Sequence, residues 1–385
     1  MKTIRFGIIG CGLMGREFAS AAVRWGHLLD LDVRPELVAI CDKNAELFGW
    51  YRAHFSTIKQ FTGEHKDLLA NADVDAVYCA VPHNLHADLY CDIIAAGKHL
   101  LGEKPFGIDR AANARILEAI RAHPKVFVRC SSEFPFFPAA QRIIKSAREG
   151  RFGTLLEVSA GLHHSSDMDP AKPINWKRMV KFNGEYGCLG DLGMHALHIP
   201  LRLGWVPRDV RAILSKIVKE RPDGKGGKAP CETWDNATLL CTAGDPRTGE
   251  PFPLTISTKR ISPGDTNTWF LSVKGTRCSM EFNSRYPKTL RTLDYTPGGE
   301  QAWREEDLGY QTAFKTITGH IFEFGFGDSI LQMWAAFCME LAHGADAVPF
   351  GCVKPEETAL QHALFTAALE SQKHNQVVQV TNPHF

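Results

Sequence analysis

The feature that most constrains the fold is a glycine motif between an apolar run and a helical segment near the start of the chain. The apolar run Ile4–Ile9 leads into the hexapeptide GCGLMG, which matches Gly-x-Gly-x-x-Gly, and the helical pattern Met14–Arg24 follows. In such a turn Gly10 permits the tight bend, Gly12 lets the backbone approach a pyrophosphate, and Gly15 lets the helix pack closely on the strand. The motif predicts a dinucleotide site at a helix N-terminus, and a glycine-rich turn without a ligand is the alternative.

The first 130 residues alternate short apolar runs with amphipathic segments. Strands that alternate with helices of about 10–15 residues predict a parallel sheet covered on both faces, so we expect an α/β doubly wound Rossmann domain. The predicted strands are Ile4–Ile9, Leu37–Cys41, Ala76–Val81, His99–Leu101 and Val126–Cys130. The predicted helices are Met14–Arg24, Asn44–His54, Asn84–Ala96 and Arg110–Ala122.

Beyond Cys130 the pattern changes to longer alternating segments separated by Pro-Gly, Asp-Pro and Gly-Gly turns, which is typical of a mostly antiparallel sheet. The predicted strands are Leu155–Leu162, Val210–Val218, Ala237–Thr242, Leu254–Lys259, Trp269–Lys274, Arg277–Phe282 and Thr289–Tyr295. The predicted helices are Pro138–Gly150, Ser329–Ala342 and Pro355–His374. The Gly/Lys/Pro-rich loop 221–230 is expected to be mobile.

The length of 385 residues favours two domains, because one core rarely grows beyond about 250–300 residues. We expect residues 1–130 to form the dinucleotide-binding domain. Residues 131–385 are expected to form the second domain, with the C-terminal helix packing back on the first.

The composition is that of an ordinary globular protein. Lysine plus arginine number 44 and aspartate plus glutamate 43, giving a net charge of +1, so no global field attracts nucleic acid or an anionic membrane. No apolar stretch reaches the ~18 residues of a membrane helix, and the strand pattern that starts at Ile4 leaves no room for a signal peptide. The 11 cysteines form no Cys-x-x-Cys pair, which predicts buried, reduced thiols in a cytoplasmic protein.

An acidic residue follows the second predicted strand. Asp42 lies somewhat further beyond Gly15 than the usual ~20 residues, and an insertion at 27–35 explains the excess. An acid here binds the ribose hydroxyls of NAD but repels a 2′-phosphate, since two unit charges about 4 Å apart interact by ~4 kcal/mol at an effective dielectric of about 20. This predicts NAD over NADP, with the adjacent Lys43 offsetting part of the repulsion. Asp42 as the N-cap of helix Asn44–His54 is the alternative.

Three further residues have positions expected of catalytic groups. Lys104 follows the predicted strand His99–Leu101, and the carboxyl ends of such strands face the ligand crevice. Asp191 and His195 are four apart, so on a helix they share one face. Taken alone, a lysine after a strand is more often a surface residue, and an acid–histidine pair is more often a cap or a surface contact.

Together these motifs resemble the glucose–fructose oxidoreductase/inositol dehydrogenase/MocA (Gfo/Idh/MocA) family. The resemblance covers nearly the whole chain and rests on the glycine motif, on Glu103-Lys104-Pro105 and on Gly-x-x-Gly-Asp-x-Gly-x-His ending at His195. It implies an α/β Rossmann domain followed by an α+β domain with an open, mostly antiparallel sheet that often mediates homodimers or homotetramers. It also implies hydride transfer between NAD or NADP and a sugar or polyol, and a Lys104–Pro105 bond that is often cis.

The resemblance also assigns residues to the site. It implies that Lys104, Asp191 and His195 are catalytic and that residues 80–86 line the nicotinamide ribose. The residues expected to bind the cofactor are Gly10, Cys11, Gly12, Leu13, Met14, Gly15, Asp42, Lys43, Ala80, Val81, Pro82, His83, Asn84, His86, Glu103 and Lys104. The residues expected to bind substrate are Lys104, Glu133, Phe134, His163, Trp176, Lys177, Asp191 and His195.

Some of the substrate-site residues depart from the family pattern or leave alternatives open. Relatives often carry Arg-Phe or Arg-Tyr where this chain has Glu133 and no arginine, which favours a neutral, hydroxyl-rich ligand over a carboxylate. Trp176 and Lys177 offer an aromatic plate and a polar group for a sugar, and a surface loop with a packing tryptophan is the alternative. His163 and His164 are neighbours on a strand, so at most one points into the cleft.

The residue types suggest how an alcohol would be oxidised. NAD is the hydride acceptor, and His195 is the natural base because imidazole titrates near pH ~6.5. Asp191 orients the imidazole or holds a neighbouring hydroxyl, while Lys104 binds the reacting oxygen. In reduction Lys104 donates a proton, provided that burial and positive neighbours lower its pKa. Exchange of the roles of Lys104 and His195 is the alternative.

The leading hypothesis is an NAD-dependent dehydrogenase of a sugar, sugar derivative or cyclitol. One alternative is an enzyme that holds NAD tightly and uses transient oxidation for glycoside cleavage or coupled redox chemistry. A second is a non-catalytic dinucleotide-binding sensor. A metal held by His163, Asp191, His195 and His198 is disfavoured, because no thiolate cluster joins them.

Overall fold

Six parallel strands form the first sheet of the computed structural model, which describes residues 1–319 and 324–381. The strands are β1 (Lys2–Ile9), β2 (Val33–Cys41), β3 (Gln60–Thr62), β4 (Ala76–Cys79), β5 (His99–Gly102) and β6 (Val128–Cys130). Their order, β3-β2-β1-β4-β5-β6, is the doubly wound Rossmann order, so the predicted fold class is confirmed for this part. The carboxyl ends of β1 and β4 lie side by side and form a ligand crevice.

Five helices and several 3-10 turns connect these strands. The helices are α1 (Leu13–Val23), α2 (Phe48–His54), α3 (His65–Ala70), α4 (His86–Ala95) and α5 (Arg110–Ala122). The predicted helix Asn44–His54 is split, because a 3-10 turn over Ala45–Leu47 precedes α2. Asn44 accepts the capping hydrogen bond from the N–H of Glu46, so Asp42 is not the N-cap. The sequence missed the short elements β3 and α3.

Nine strands form the second sheet: β7 (Leu155–His163), β8 (Pro207–Ser215), β11 (Asn236–Gly244), β12 (Pro251–Lys259), β13 (Thr268–Gly275), β14 (Cys278–Asn283), β15 (Thr289–Asp294), β16 (Arg304–Asp307) and β17 (Val378–Gln379). Two short strands, β9 (Glu220–Pro222) and β10 (Lys228–Pro230), form a separate hairpin. The order of the nine strands is β16-β15-β14-β13-β7-β12-β11-β8-β17. All neighbours in the larger sheet are antiparallel except β7 and β12, which confirms the predicted open, mostly antiparallel sheet.

The small hairpin corrects one expectation. The segment 221–230, predicted to be a mobile loop, is built from β9 and β10. Its Arg221 is buried and donates hydrogen bonds to the carbonyl oxygens of Asp167 and Asp169, at 2.6 Å each. The hairpin therefore holds the irregular segment that precedes Trp176.

Five further helices complete the fold: α6 (Pro138–Arg148), α7 (Val180–Asn183), α8 (Cys188–Arg202), α9 (Phe326–His343) and α10 (Pro355–His374). The helix α8 packs on the second sheet at β7 and β12. The helix α9 returns to the first sheet, where Trp334 packs on Phe6, Phe18 and Trp25 in one aromatic cluster. The helix α10 packs against both α5 and β8.

The cysteine side chains lie almost entirely in the interior of the fold. All 11 cysteines are free thiols, and all but Cys91 are buried. Within the described ranges, no helix combines the length and the apolar character that crossing a membrane requires. The division of the chain at residue 130 stays a prediction.

Candidate active site

The start of α1 has the shape of a dinucleotide cradle. Gly10 adopts a φ of +98°, a conformation that other residues rarely adopt. A Cβ on Gly15 would overlap the carbonyl oxygen of Gly10, so this glycine permits the close approach of helix and strand. Gly12 is the N-cap of α1 and has no capping side chain, which leaves the first N–H groups of the helix for an anion.

Asp42 lies beside this turn at the end of β2. Its carboxylate accepts hydrogen bonds from the backbone N–H groups of Cys11 and Asn44, both at 2.8 Å. The ammonium group of Lys43 is 2.6 Å from the Glu64 carboxylate, which raises the pKa of this exposed lysine. The lysine expected to offset the repulsion of a 2′-phosphate is thus paired with Glu64.

A cleft with a cavity volume of about 350 Å³ runs from the glycine turn to the end of β5. It is lined by Leu13, Met14, Ala80, Val81, Pro82, His83, Glu103, Lys104, Trp176 and Lys177. Among the described residues, Nδ1 of His83 and Oδ1 of Asn84 are buried without a hydrogen-bond partner. Unpartnered polar atoms at the edge of a cleft are typical of a ligand site, so the residues present fit a bound dinucleotide.

A second cleft, of about 330 Å³, joins the first at Trp176 and Lys177. Its remaining lining residues are His164, Ser166, Asp167, Lys172, Asn175, Asp191 and Arg260. Arg178 lies behind this cleft, fully buried, and forms ion pairs with Asp167 and Asp235. The two clefts therefore offer a cofactor site and a polar substrate site that share one wall.

Asp191 is the centre of the charged network between the two clefts. Lys104 Nζ lies 2.9 Å from its Oδ1, Lys177 Nζ 3.1 Å from its Oδ2, and Arg260 donates to Oδ2 at 2.7 Å. Burial alone would raise the pKa of Asp191, but its three cationic neighbours hold that pKa well below its usual range. One buried carboxylate is thus shared by three cationic side chains.

The two lysines of this network differ in protonation tendency. Burial favours the neutral amine of Lys104, but the carboxylates of Asp191 and Glu103 outweigh it and raise the pKa of Lys104. Burial lowers the pKa of Lys177, assisted by the charges of Lys104 and Arg260. The condition under which Lys104 would donate a proton, a lowered pKa, is therefore not met, and Lys104 is an ammonium ion.

His195 lies one helical turn beyond Asp191 on α8. Its Nδ1 faces the Ser132 hydroxyl at 3.3 Å, and its ring meets the edge of Phe134 with centroids 5.1 Å apart. Burial and the positive charges of Lys104 and Lys177 lower the pKa of His195 well below its usual value, against the opposing effect of Asp191. The imidazole is therefore neutral near pH 7 and can accept a proton.

Comparison with known proteins gives the relationship of this chain. A family profile described as an oxidoreductase family with an NAD-binding Rossmann fold (Gfo/Idh/MocA) matches residues 4–130. The Rossmann part of this chain, residues 4–130, therefore matches the Gfo/Idh/MocA oxidoreductase family. Levoglucosan dehydrogenase of Pseudarthrobacter phenanthrenivorans is 24% identical over 358 residues, which is 89% of this chain and 86% of that protein. The scyllo-inositol 2-dehydrogenase (NADP(+)) IolU of Bacillus subtilis is 26% identical over 211 residues, 54% of this chain and 61% of that protein.

The solved structures show the same fold. A levoglucosan dehydrogenase in complex with NADH and L-sorbose superimposes with a TM-score of 0.87 at 22% sequence identity, covering 100% of both chains. The Lys104–Pro105 bond of this chain is cis, as the family resemblance implies.

The structure brings most of the predicted site residues together, with some differences in detail. His86 is buried away from the cleft, with its ring nitrogens near the carbonyl oxygens of Val81 and Pro105. Glu103 accepts a hydrogen bond from the Tyr78 hydroxyl at 2.7 Å. Phe134 packs edge-on against the His195 ring, so it is a packing neighbour of His195.

His163 is misplaced in the prediction of substrate contacts. Its Nε2 lies 2.8 Å from the Ser257 hydroxyl, and its ring packs on Phe270, on the face of the sheet opposite α8. His164 lines the polar cleft instead, because neighbouring residues of a strand point to opposite faces. Burial lowers the pKa of His164 to about 4, so this cleft residue is neutral.

Arg260 is a site residue that the sequence reasoning missed. It directly follows β12, which runs parallel to β7 with Lys259 opposite His163. The ends of these two strands therefore meet at one edge, where His164 and Arg260 enter the cleft. A charged residue at the end of a predicted strand was the available signal, but only the parallel pairing connects it to Asp191.

The histidine and carboxylate groups offer little to a metal ion. No group of three or more His, Cys, Asp or Glu side chains suited to metal binding occurs in ranges 1–319 and 324–381.

Proposed function

We propose that this chain is an NAD-dependent dehydrogenase that transfers a hydride between the cofactor and a hydroxyl-bearing carbon of a sugar, sugar derivative or cyclitol. The observation that carries the proposal is the contact of Lys104 with Asp191 at the junction of the two clefts, with His195 one helical turn from Asp191 on α8. An ammonium ion, a carboxylate and a neutral imidazole at one point are the groups that alcohol oxidation requires.

The first cleft would hold the cofactor. The N-terminus of α1 would bind the pyrophosphate, Asp42 the adenosine ribose, and His83 with Asn84 the nicotinamide ribose. Bound NAD supplies the hydride acceptor. The family description, the glycine turn and the unpartnered atoms at His83 and Asn84 support this assignment.

The protein groups then control the proton and the charge. Lys104 donates a hydrogen bond to the reacting oxygen and stabilises its alkoxide character. His195 accepts the proton of the substrate hydroxyl, and the hydride leaves from the carbon that bears this hydroxyl. The substrate thereby becomes a carbonyl compound and His195 an imidazolium ion. Asp191 orients Lys104 and keeps it protonated. The raised pKa of Lys104 and the lowered pKa of His195 support these roles over their exchange.

The second cleft would bind the rest of the substrate. Trp176 offers an aromatic face, while His164, Asn175 and Lys177 offer hydrogen-bonding groups around it. A ring of hydroxyl groups needs such a combination of an apolar plate and many polar partners. Assembly into homodimers or homotetramers through the second sheet stays a prediction.

The proposal is tested with a panel of sugars and cyclitols, including levoglucosan, L-sorbose and scyllo-inositol. We expect NADH to accumulate with at least one panel member, measured by absorbance of the reduced nicotinamide. Product without net NADH would instead identify the transient-oxidation enzyme. Cofactor binding without turnover of any member would favour the sensor.

The cofactor preference gives a separate prediction. We expect Asp42→Ala to lower the ratio of NAD to NADP affinity by about 10–100-fold, because it removes a negative charge from the 2′-phosphate position. The affinities are measured by tryptophan fluorescence with NADH and NADPH. Asp73→Ala, which removes an exposed acid from the turn before β4, is the matched control. An unchanged ratio would contradict the role of Asp42.

A further inference from the structure

The turn after β6 places a buried carboxyl group beside His195. Glu133 is 5% exposed, and its Oε2 lies 3.9 Å from Nδ1 of His195. The Ser132 hydroxyl is 3.3 Å from the same nitrogen. A carboxyl group that is buried next to a histidine requires a physical explanation, whereas an exposed carboxyl group does not.

Two observations fix which ring nitrogen faces which partner. Nδ1 of His195 is the nitrogen directed at Ser132 and Glu133, while Nε2 makes no hydrogen bond within the described residues. Trp269 anchors the backbone of His195 through a hydrogen bond to its carbonyl oxygen at 2.9 Å. The ring is therefore held with Nδ1 toward the acid and with Nε2 left for a ligand.

We propose that Glu133 is a positioning residue that makes His195 a base at Nε2 and stabilises its imidazolium form. This inference rests on the proposed function. When Nε2 takes the substrate hydroxyl proton, Nδ1–H remains bonded and turns toward the Glu133 carboxylate, directly or through the Ser132 hydroxyl. A separation of 3.9 Å is in keeping with a catalytic contact that tightens when the substrate binds.

The surroundings show why the carboxyl group can respond to pH. The charged and titratable groups that face the pair are Tyr78, Glu103, Lys104, Lys177, Asp191 and His198. Burial, together with the carboxylate of Glu103, raises the pKa of Glu133 to about 7, while Lys104 opposes the rise. Glu133 is therefore ionised above about pH 7, where it supports the base, and neutral below it, where that support is lost.

The test is Glu133→Gln, which keeps the shape and removes the charge. We expect kcat to fall by about 10–100-fold at pH 8 with KM changed less than about threefold, because substrate binding is not altered. The ionisation near pH 7 should vanish from the pH profile of kcat, and Glu133→Asp should restore part of both. Glu149→Gln, an exposed glutamate paired with Lys145, is the matched control.

A second readout does not depend on turnover. The protein is labelled with ¹⁵N at its histidines, and the chemical shifts of the His195 ring nitrogens are measured by NMR. They should indicate the Nδ1–H tautomer in the wild type and a mixture of tautomers in Glu133→Gln. Unchanged shifts would overturn the inference even if no panel sugar were oxidised. A rise in KM with kcat unchanged would overturn it too, and would make Glu133 a substrate contact.

Discussion

Replacing His195 by alanine is expected to lower kcat by about 10²–10⁴-fold while leaving NADH binding unchanged. In the proposed function the neutral imidazole of His195 is the base, and general-base catalysis typically contributes a factor of this size. Its side chain lies on α8, away from the glycine turn that holds the dinucleotide. The measurement is steady-state turnover of the responsive sugar, with NADH affinity determined by fluorescence on the same preparation.

Two comparisons make this result specific. His374→Ala removes an exposed histidine at the end of α10 and should leave turnover within about twofold. Added imidazole should restore part of the activity of His195→Ala, because a small base can occupy the vacated space. Full activity of His195→Ala would transfer the role of the base to Lys104 or to another group.

Asp191→Asn is expected to have the largest effect on stability. The variant leaves Lys104, Lys177 and Arg260 close together without their shared carboxylate, and Arg260 is fully buried. Breaking a buried ion pair by removing one partner typically costs about 3–5 kcal/mol. We therefore expect a clear fall in apparent Tm and loss of turnover, both measured against Asp88→Asn, an exposed aspartate paired with Arg115.

The depressed pKa of Asp191 determines how the difference in Tm between the wild type and Asp191→Asn depends on pH. The stabilisation is fully present above the unfolded-state pKa of about 3.9 and is lost only as the pH falls through the lower folded-state pKa. The gap in Tm between wild type and Asp191→Asn should thus be constant from about pH 5 to 8. A gap that closes between pH 7 and 5 would mean that Asp191 is not ionised as argued.

The sequence was sufficient for the long regular elements and insufficient for short or non-local ones. Helices such as Arg110–Ala122 and Pro355–His374 agree with prediction because their patterns extend over several turns. The strand Gln60–Thr62 is too short to show a period. The single parallel pair in the second sheet joins strands far apart in the chain, and no local pattern encodes it.

The candidate site divides in the same way. Lys104, Asp191 and His195 could be predicted because each lies in a short motif with a recognisable spacing. Arg260 reaches Asp191 across a sequence separation that only the folded sheet closes. The choice between His163 and His164 depended on which face of β7 meets α8, and the sequence left that open.

The return of α9 to the first sheet has a consequence for biosynthesis. Trp334 supplies the ring that covers Phe6, Phe18 and Trp25, yet roughly 200 residues separate this helix from β6. At about 5–20 residues per second, ribosomes need roughly 10–40 s to span that distance. Throughout that interval Phe6, Phe18 and Trp25 lack the ring that covers them in the folded protein. The packing around the first sheet is therefore completed only after α9 has been synthesised.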